Sequence, residues 1–143
     1  MAVKQISVFV ENKPGRLCEV TNILEQNHLD IRALSIADTT NFGILRIIVD
    51  NPDKAQAVLK ETGMMVSITE VIAVGITDQP GGLAAVLRLL NEEQVAVEYM
   101  YAFISREEKT AYVILRVENI EYTTQVLQKH QVPLLTDKDI YEM

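Results

Sequence analysis

The sequence predicts an α+β fold made of two tandem domains, each with the element order β-α-β-β-α-β. Two observations carry that prediction. First, the chain repeats itself. Glu11-Asn12-Lys13-Pro14-Gly15-Arg16-Leu17 returns as Thr77-Asp78-Gln79-Pro80-Gly81-Gly82-Leu83 at an offset of 66, and Val49-Asp50-Asn51 returns as Val117-Glu118-Asn119 at an offset of 68. The change of offset falls between Val97 and Thr110, and an indel confined to a turn marks a duplicated unit. Second, stretches of period two alternate with stretches of helical period in both copies. The 143 residues therefore divide into domains 1–70 and 71–143. Domains this small bury little core for their surface, so the halves are expected to share an interface and to pair again with a second chain as a homodimer.

The first strand of each copy, Ile6–Val10 and Ile72–Ile76, is apolar at alternate positions or throughout. Each runs into Asn or Asp, then Pro-Gly, then a helix whose apolar face is Leu17, Val20, Ile23 and Leu24, or Leu83, Val86, Leu87 and Leu90. Proline near the first turn is a start signal, because its missing N–H has no helical partner there. Second strands are expected at Ile31–Ala37 and Val97–Ile104, and third strands at Ile44–Val49 and Ala111–Val117. Turns are expected at Asp38–Asn41 and Ser105–Lys109. Asn51-Pro52-Asp53 reads as an N-cap, a proline at the first helical position and an acid in the first turn, with Asn119 as the later counterpart. Gly63 is placed to end the first of these helices. Closing strands are expected at Val66–Val71 and roughly Leu134–Tyr141.

This order gives an antiparallel four-stranded sheet with both helices on one face, the ferredoxin-like arrangement, and the two sheets are expected to join side by side. Leu45, Ile47, Val49 and their copies Val113, Leu115, Val117 should face the helices. The other face carries Ile44, Arg46, Ile48 and Tyr112, Ile114, Arg116, too apolar a set for an open face. A second sheet or subunit is expected to cover it.

Net charge is -7, with seven basic and nine acidic residues up to Glu70 and six and eleven after it. Neither half is basic, which argues against a nucleic-acid partner. No apolar run is long enough to span a membrane, and the amino terminus is not a signal peptide. The single cysteine, Cys18, suits a reducing cytoplasm. Cytoplasmic localisation is the expectation.

The strand–[Asn/Asp]-x-Pro-Gly–helix junction, present twice, is the one constellation with chemical meaning. Gly15 and Gly81 lack a Cβ, so a ligand can approach the main chain. The first N–H groups of the following helix are unpaired and sit at its positive end, where a carboxylate or phosphate binds. Asn12 offers a donor and an acceptor, and Asp78 can hold an ammonium. That donor set suits a free amino acid. The same residues also make a plain turn and helix cap, and spacing alone favours that plainer reading. His28 and His130 read as surface caps, Cys18 as a small packing residue, and Tyr99 and Tyr101 as packing or interface residues. No nucleophile–base pair, catalytic carboxylate pair, P-loop, metal-ligand set or cofactor motif is visible. Catalytic residues, metal and cofactor are therefore expected to be none.

The paired [Asn/Asp]-x-Pro-Gly-x-Leu motifs, strand order and tandem layout resemble the ACT domain family over the whole chain. The resemblance implies a regulatory module that senses amino acids or similar metabolites. It implies a ligand held between two domains, by the first strand–helix loop of one and the start of the second strand of the other. Glu11–Gly15 is especially similar to the serine-sensing ACT domain of phosphoglycerate dehydrogenase, which implies an amino-acid contact by Asn12. Val10 stands where that sensor has a histidine, and Asp30 and Ala96 stand where it has an asparagine. The resemblance thus implies a small ligand without implying serine. Carried over residue by residue, it implies one site of Asn12, Pro14, Gly15, Arg16 and Leu17 facing Ala96 and Val97. A second would hold Asp78, Gly81, Gly82 and Leu83 facing Asp30 and Ile31. Two carboxylates in the second need a cation or a proton between them, so one good and one degenerate site per chain are expected.

The reading is a non-catalytic amino-acid sensor acting through a partner enzyme of amino-acid metabolism. The alternatives are a structural or regulatory subunit that no longer binds ligand and, last, a small enzyme.

Overall fold

A computed structural model describes residues 2–38, 41–104 and 109–143. The expected turns through Thr39 and Thr40 and through Ser105 to Glu108 lie outside the described residues. In chain order the elements are β1 (Val3–Glu11), α1 (Arg16–Gln26), β2 (Ile31–Asp38), β3 (Phe42–Val49), α2 (Pro52–Glu61) and β4 (Val66–Thr77). Then come α3 (Gly82–Glu92), β5 (Val97–Ala102), β6 (Thr110–Val117), α4 (Ile120–Lys129), β7 (Leu134–Leu135) and α5 (Asp137–Tyr141). The chain forms two compact units. The first is Lys4–Thr69 with Ile140–Met143, and the second is Glu70–Asp139 with the chain's beginning up to Val3.

In the first unit β3 lies between β1 and β2, antiparallel to both, with Ile6 opposite Ile47 and Leu34 opposite Ile47 on the other side. The pleat sends Ile6, Val8, Val10, Leu45, Ile47 and Val49 to one face. Val20 and Leu24 of α1 and Ala55 and Leu59 of α2, each pair one helical turn apart, bury against that face. The expected helix-facing set Leu45, Ile47 and Val49 is thus in this core. The second unit repeats the plan. β6 pairs antiparallel with β4 and β5, and Ile72, Val74, Val113, Leu115 and Val117 meet Val86, Leu90 and Leu127.

The helix ends follow local chemistry. Asn51 accepts a hydrogen bond from the Lys54 N–H at 3.2 Å and Asn119 one from the Tyr122 N–H at 3.0 Å, with Pro52 and Asp53 in the first turn of α2. Gly63, at φ 86°, follows the α2 cap.

Four expectations need correction. The closing strand of the second copy does not run from Leu134 to Tyr141. It stops after two residues, and α5 follows. Thr136 explains the stop: its Oγ1 accepts from the Asp139 N–H at 3.1 Å, and the Asp139 carboxylate accepts from the Thr136 N–H at 2.9 Å. That reciprocal cap starts a helix. Second, Val66–Val71 and Ile72–Ile76, expected as two strands, are one continuous strand, β4. Third, Pro14 and Pro80 precede their helices, which begin two residues later. Fourth, Leu17 is exposed rather than on the buried face, and Cys18 is exposed rather than packed.

The second sheet face is mixed: Gln5 is fully buried and donates to Ser7 at 3.1 Å, and Arg46 lies opposite Ser7. Ile48, Ala33, Ala73 and Ile114 are fully buried. In the first unit Arg32 donates to the carbonyls of Ile140 at 3.1 Å and Met143 at 2.8 Å, and Ile140 is fully buried. In the second unit Tyr99 stacks near Tyr101, and Phe103 meets Tyr112 edge-on at 6.1 Å between centroids.

Candidate functional site

The two Pro-Gly loops have the same hydrogen-bond plan. In the first, the Arg16 N–H donates to the Lys13 carbonyl at 3.3 Å, and the Gly82 N–H donates to the Gln79 carbonyl at 3.0 Å in the second. Gly15 (φ 88°, ψ -11°) and Gly81 (φ 90°, ψ -10°) hold the left-handed corner. Proline followed by a left-handed glycine is the type II β-turn, in which proline presets the first corner and glycine tolerates the second. Each turn delivers its glycine as the N-cap of α1 or α3, and no side chain caps either helix. The contrast with α2 and α4, both capped by asparagine, is local to the motif. First-turn N–H groups without a side-chain cap can receive a ligand's anionic end.

The space above the motif differs by residue. A Cβ added at Gly15 or Gly81 would meet nothing within 4 Å. One added at Gly82 would lie 1.9 Å from the Thr77 carbonyl oxygen. Gly82 is therefore required by the loop's close approach to its own strand, a reason independent of any ligand. The Asn12 side chain leans over β3, where a Cβ on Gly43 would meet its Oδ1 at 3.4 Å. Lys13 pairs with Glu11 at 3.0 Å. This neighbour, through its hydrogen bond and its charge, holds the Glu11 carboxyl below its ordinary pKa. Pro14 is exposed beside these groups, and Leu83 packs partly against the core.

The strand starts are built differently. The Asp30 N–H donates to the Asp50 carboxylate at 3.0 Å, and the Asp30 carboxylate forms an ion pair with Arg32. An ammonium ligand at Asp30 would compete with that guanidinium. Ile31 and Val97 pack partly against their cores, and Ala96 is exposed.

Strand register decides which candidates a single unit can bring together. Glu11 pairs with Phe42 at one end of β3, and Ile31 pairs with Val49 at the other. Seven residues of strand separate them, roughly 24 Å at about 3.4 Å per residue. The second unit has Thr77 opposite Thr110 and Val97 opposite Val117, at opposite ends of β6. Neither loop reaches the strand start of its own unit. The profile of the ACT domain pair family matches residues 1–143. The chain belongs to the ACT domain pair family.

This ACT domain pair is similar to the crystal structure of protein BT0572 from Bacteroides thetaiotaomicron. Identity is 42% over 100% of this chain and 98% of that one, and the TM-score is 0.93. It shares its fold with the regulatory subunit of aspartate kinase from Thermus thermophilus, at 15% identity over 92% and 94% of the two chains and TM-score 0.66. It does so too with the aspartokinase alpha and beta subunits, at 20% identity over 88% and 90% and TM-score 0.57. No curated protein matches the chain.

Each ACT unit also has a groove between the end of its first strand and the link that follows its second helix. The first encloses about 410 Å³ and the second about 360 Å³. Residues of the first that sequence reasoning missed are Phe9, Glu19, Phe42 and Met65. For Phe9 and Phe42 the signal was an apolar residue on a strand's outer face, which has meaning only once register is known; Glu19 on α1 and Met65 before β4 carried none. Among the described residues no three His, Cys, Asp or Glu side chains gather to hold a metal ion, and no helix is long and apolar enough to cross a membrane.

Proposed function

We propose that this ACT domain pair is a non-catalytic regulator. It binds a free amino acid at a junction of two ACT domains and transmits the occupancy to a partner enzyme of amino-acid metabolism. The observation that carries the reading is the twin α1 and α3 starts, set by type II turns and left without a side-chain cap while α2 and α4 are capped. The amino acid's carboxylate faces the amides after Gly15, with Asn12 beside it. Ala96 and Val97, of the same chain or of a homodimer partner, supply the opposite wall. The second site, Asp78 with Asp30 and Ile31, is the degenerate one, because Arg32 already satisfies Asp30 and Gly82 serves the loop's own geometry. Ligand binding shifts the arrangement of domains only as far as its affinity differs between arrangements. A shared fold with a protein named a regulatory subunit of aspartate kinase supports output through an enzyme partner, by analogy of fold.

Thermal denaturation against the common amino acids tests this. A ligand at a hundred times its Kd adds about 2.7 kcal/mol, and Asn12→Ala should abolish the response. A response to none of them would reject the sensor and leave the ligand-free subunit, for which partner capture from cell extract should survive Asn12→Ala.

A further inference from the structure

The two grooves occupy the same place in the repeat and differ in chemistry. The first carries both signs of charge: Glu11 and Arg16 line it, and Glu19 stands 3.2 Å from Arg16. The second, lined by Gly75, Thr77, Gln79, Gly82, Ala85 and Pro133 among others, has no charged side chain. Arg16 and Glu19 of the first repeat are Gly82 and Ala85 of the second.

The apolar walls differ as well. On β1, Phe9 pairs with Ile44, Glu11 pairs with Phe42, and the Phe9 N–H donates to the Met65 carbonyl. Phe9 is 50% exposed, Phe42 53% and Met65 69%, an unusual amount of large apolar surface around one opening. In the second unit the position of Phe9 is Gly75. A Cβ there would meet Pro133 at 3.0 Å and Tyr112 at 3.2 Å, so those rings already close the spot.

We propose that the groove of the first unit selects amino acids with a large apolar side chain, which lies among Phe9, Phe42 and Met65 while its carboxylate meets the amides after Gly15 beside the Arg16 guanidinium and its ammonium meets the Glu11 and Glu19 carboxylates. The second groove takes no charged ligand. This rests on the amino-acid reading above and narrows its ligand class. Both charged ends are needed to exchange partners with the existing Arg16–Glu19 and Glu11–Lys13 pairs without leaving a charge unmatched. The apolar side chain supplies selectivity through the surface it removes from water.

Titration calorimetry with L-leucine, L-phenylalanine, L-methionine, L-serine and L-aspartate tests the proposal. The first three should bind at one site per chain, about tenfold or more tighter than the last two, as burying a few methylenes allows. Leucinamide and N-acetyl-leucine, each lacking one charge, should bind at least about tenfold more weakly than leucine. Phe42→Ser, outside the buried core, should erase the preference for leucine over serine, and Gln131→Ala in the second groove should leave it intact. Serine or aspartate binding as tightly as leucine overturns this inference and leaves the sensor reading standing. So does an unchanged preference in Phe42→Ser, or two equal sites per chain. Binding of no amino acid overturns both.

Discussion

Alanine at Gly82 should damage the fold more than alanine at Gly15 or Gly81, although all three glycines belong to the same motif. At Gly15 and Gly81 the new Cβ enters open space, and only the backbone objects. A left-handed corner costs an L-residue about 1–2 kcal/mol. Alanine regains about 0.4–1 kcal/mol by restricting the unfolded chain, leaving a net loss near 1 kcal/mol. At Gly82 the Cβ would sit 1.9 Å from the Thr77 carbonyl oxygen and 3.0 Å from its carbon. Carbon–oxygen contacts settle at about 3.3–3.6 Å, so the backbone must open by more than an ångström. The atoms in the way are main chain, which cannot rotate aside, so the cost belongs at or above the top of the usual overpacking range of about 1–3 kcal/mol. Urea unfolding followed by tyrosine fluorescence measures it. Tyr99, Tyr101, Tyr112 and Tyr122 all lie in the second unit with Gly81 and Gly82, and the chain has no tryptophan. Equal midpoints for Gly81→Ala and Gly82→Ala, at equal slopes, would refute the assignment of Gly82 to close backbone approach.

Loss of either asparagine cap, Asn51→Ala or Asn119→Ala, should cost about 1 kcal/mol in the same assay, because each leaves an N–H of a first turn unpaired. Arg32→Gln should speed amide exchange through residues 137–143, since its guanidinium holds the Ile140 and Met143 carbonyls; unchanged protection would show that Ile140 packing alone suffices. The N-terminal cap of α5 should be pH-dependent. Hydrogen bonds from Thr136 depress the Asp139 pKa below its ordinary value. A depressed carboxyl pKa contributes stability that is complete above the unfolded value, near 3.9, and is lost as pH falls through the folded one. Protection of the α5 amides, relative to their intrinsic exchange rate at each pH, should therefore hold steady down to about pH 4 and fall below it. Asp139→Asn should remove the acid step.

The repeat made the fold legible, because it supplied two readings of each element and let them check each other. Strand faces followed from alternation: Leu45, Ile47 and Val49 lie in the core where period two puts them. The end of the second unit was misread because Leu134-Leu135 looks like the start of a strand. The stop signal, Thr136 with Asp139 three residues on, is a capping box with aspartate in place of the more usual glutamate. For the site, the sequence showed that glycine was needed but not why. Gly15 and Gly81 need a positive φ and Gly82 needs the absence of a Cβ, and the two demands look alike in one-letter code. Phe9, Phe42 and Met65 were illegible for another reason. They are far apart in sequence, and only the β1–β3 register and the Met65 hydrogen bond bring them to one opening.

Duplication and divergence act on different parts of this chain. The type II turn with its uncapped helix survives in both copies to within 2° in the glycine φ, so the scaffold of the loop has been kept twice. What surrounds it has not. Arg16 and Glu19 give way to Gly82 and Ala85, and Phe9 gives way to Gly75 beneath Pro133 and Tyr112. Loop and strand start lie at opposite ends of the strand between them, so a unit cannot complete a site of this kind from its own residues.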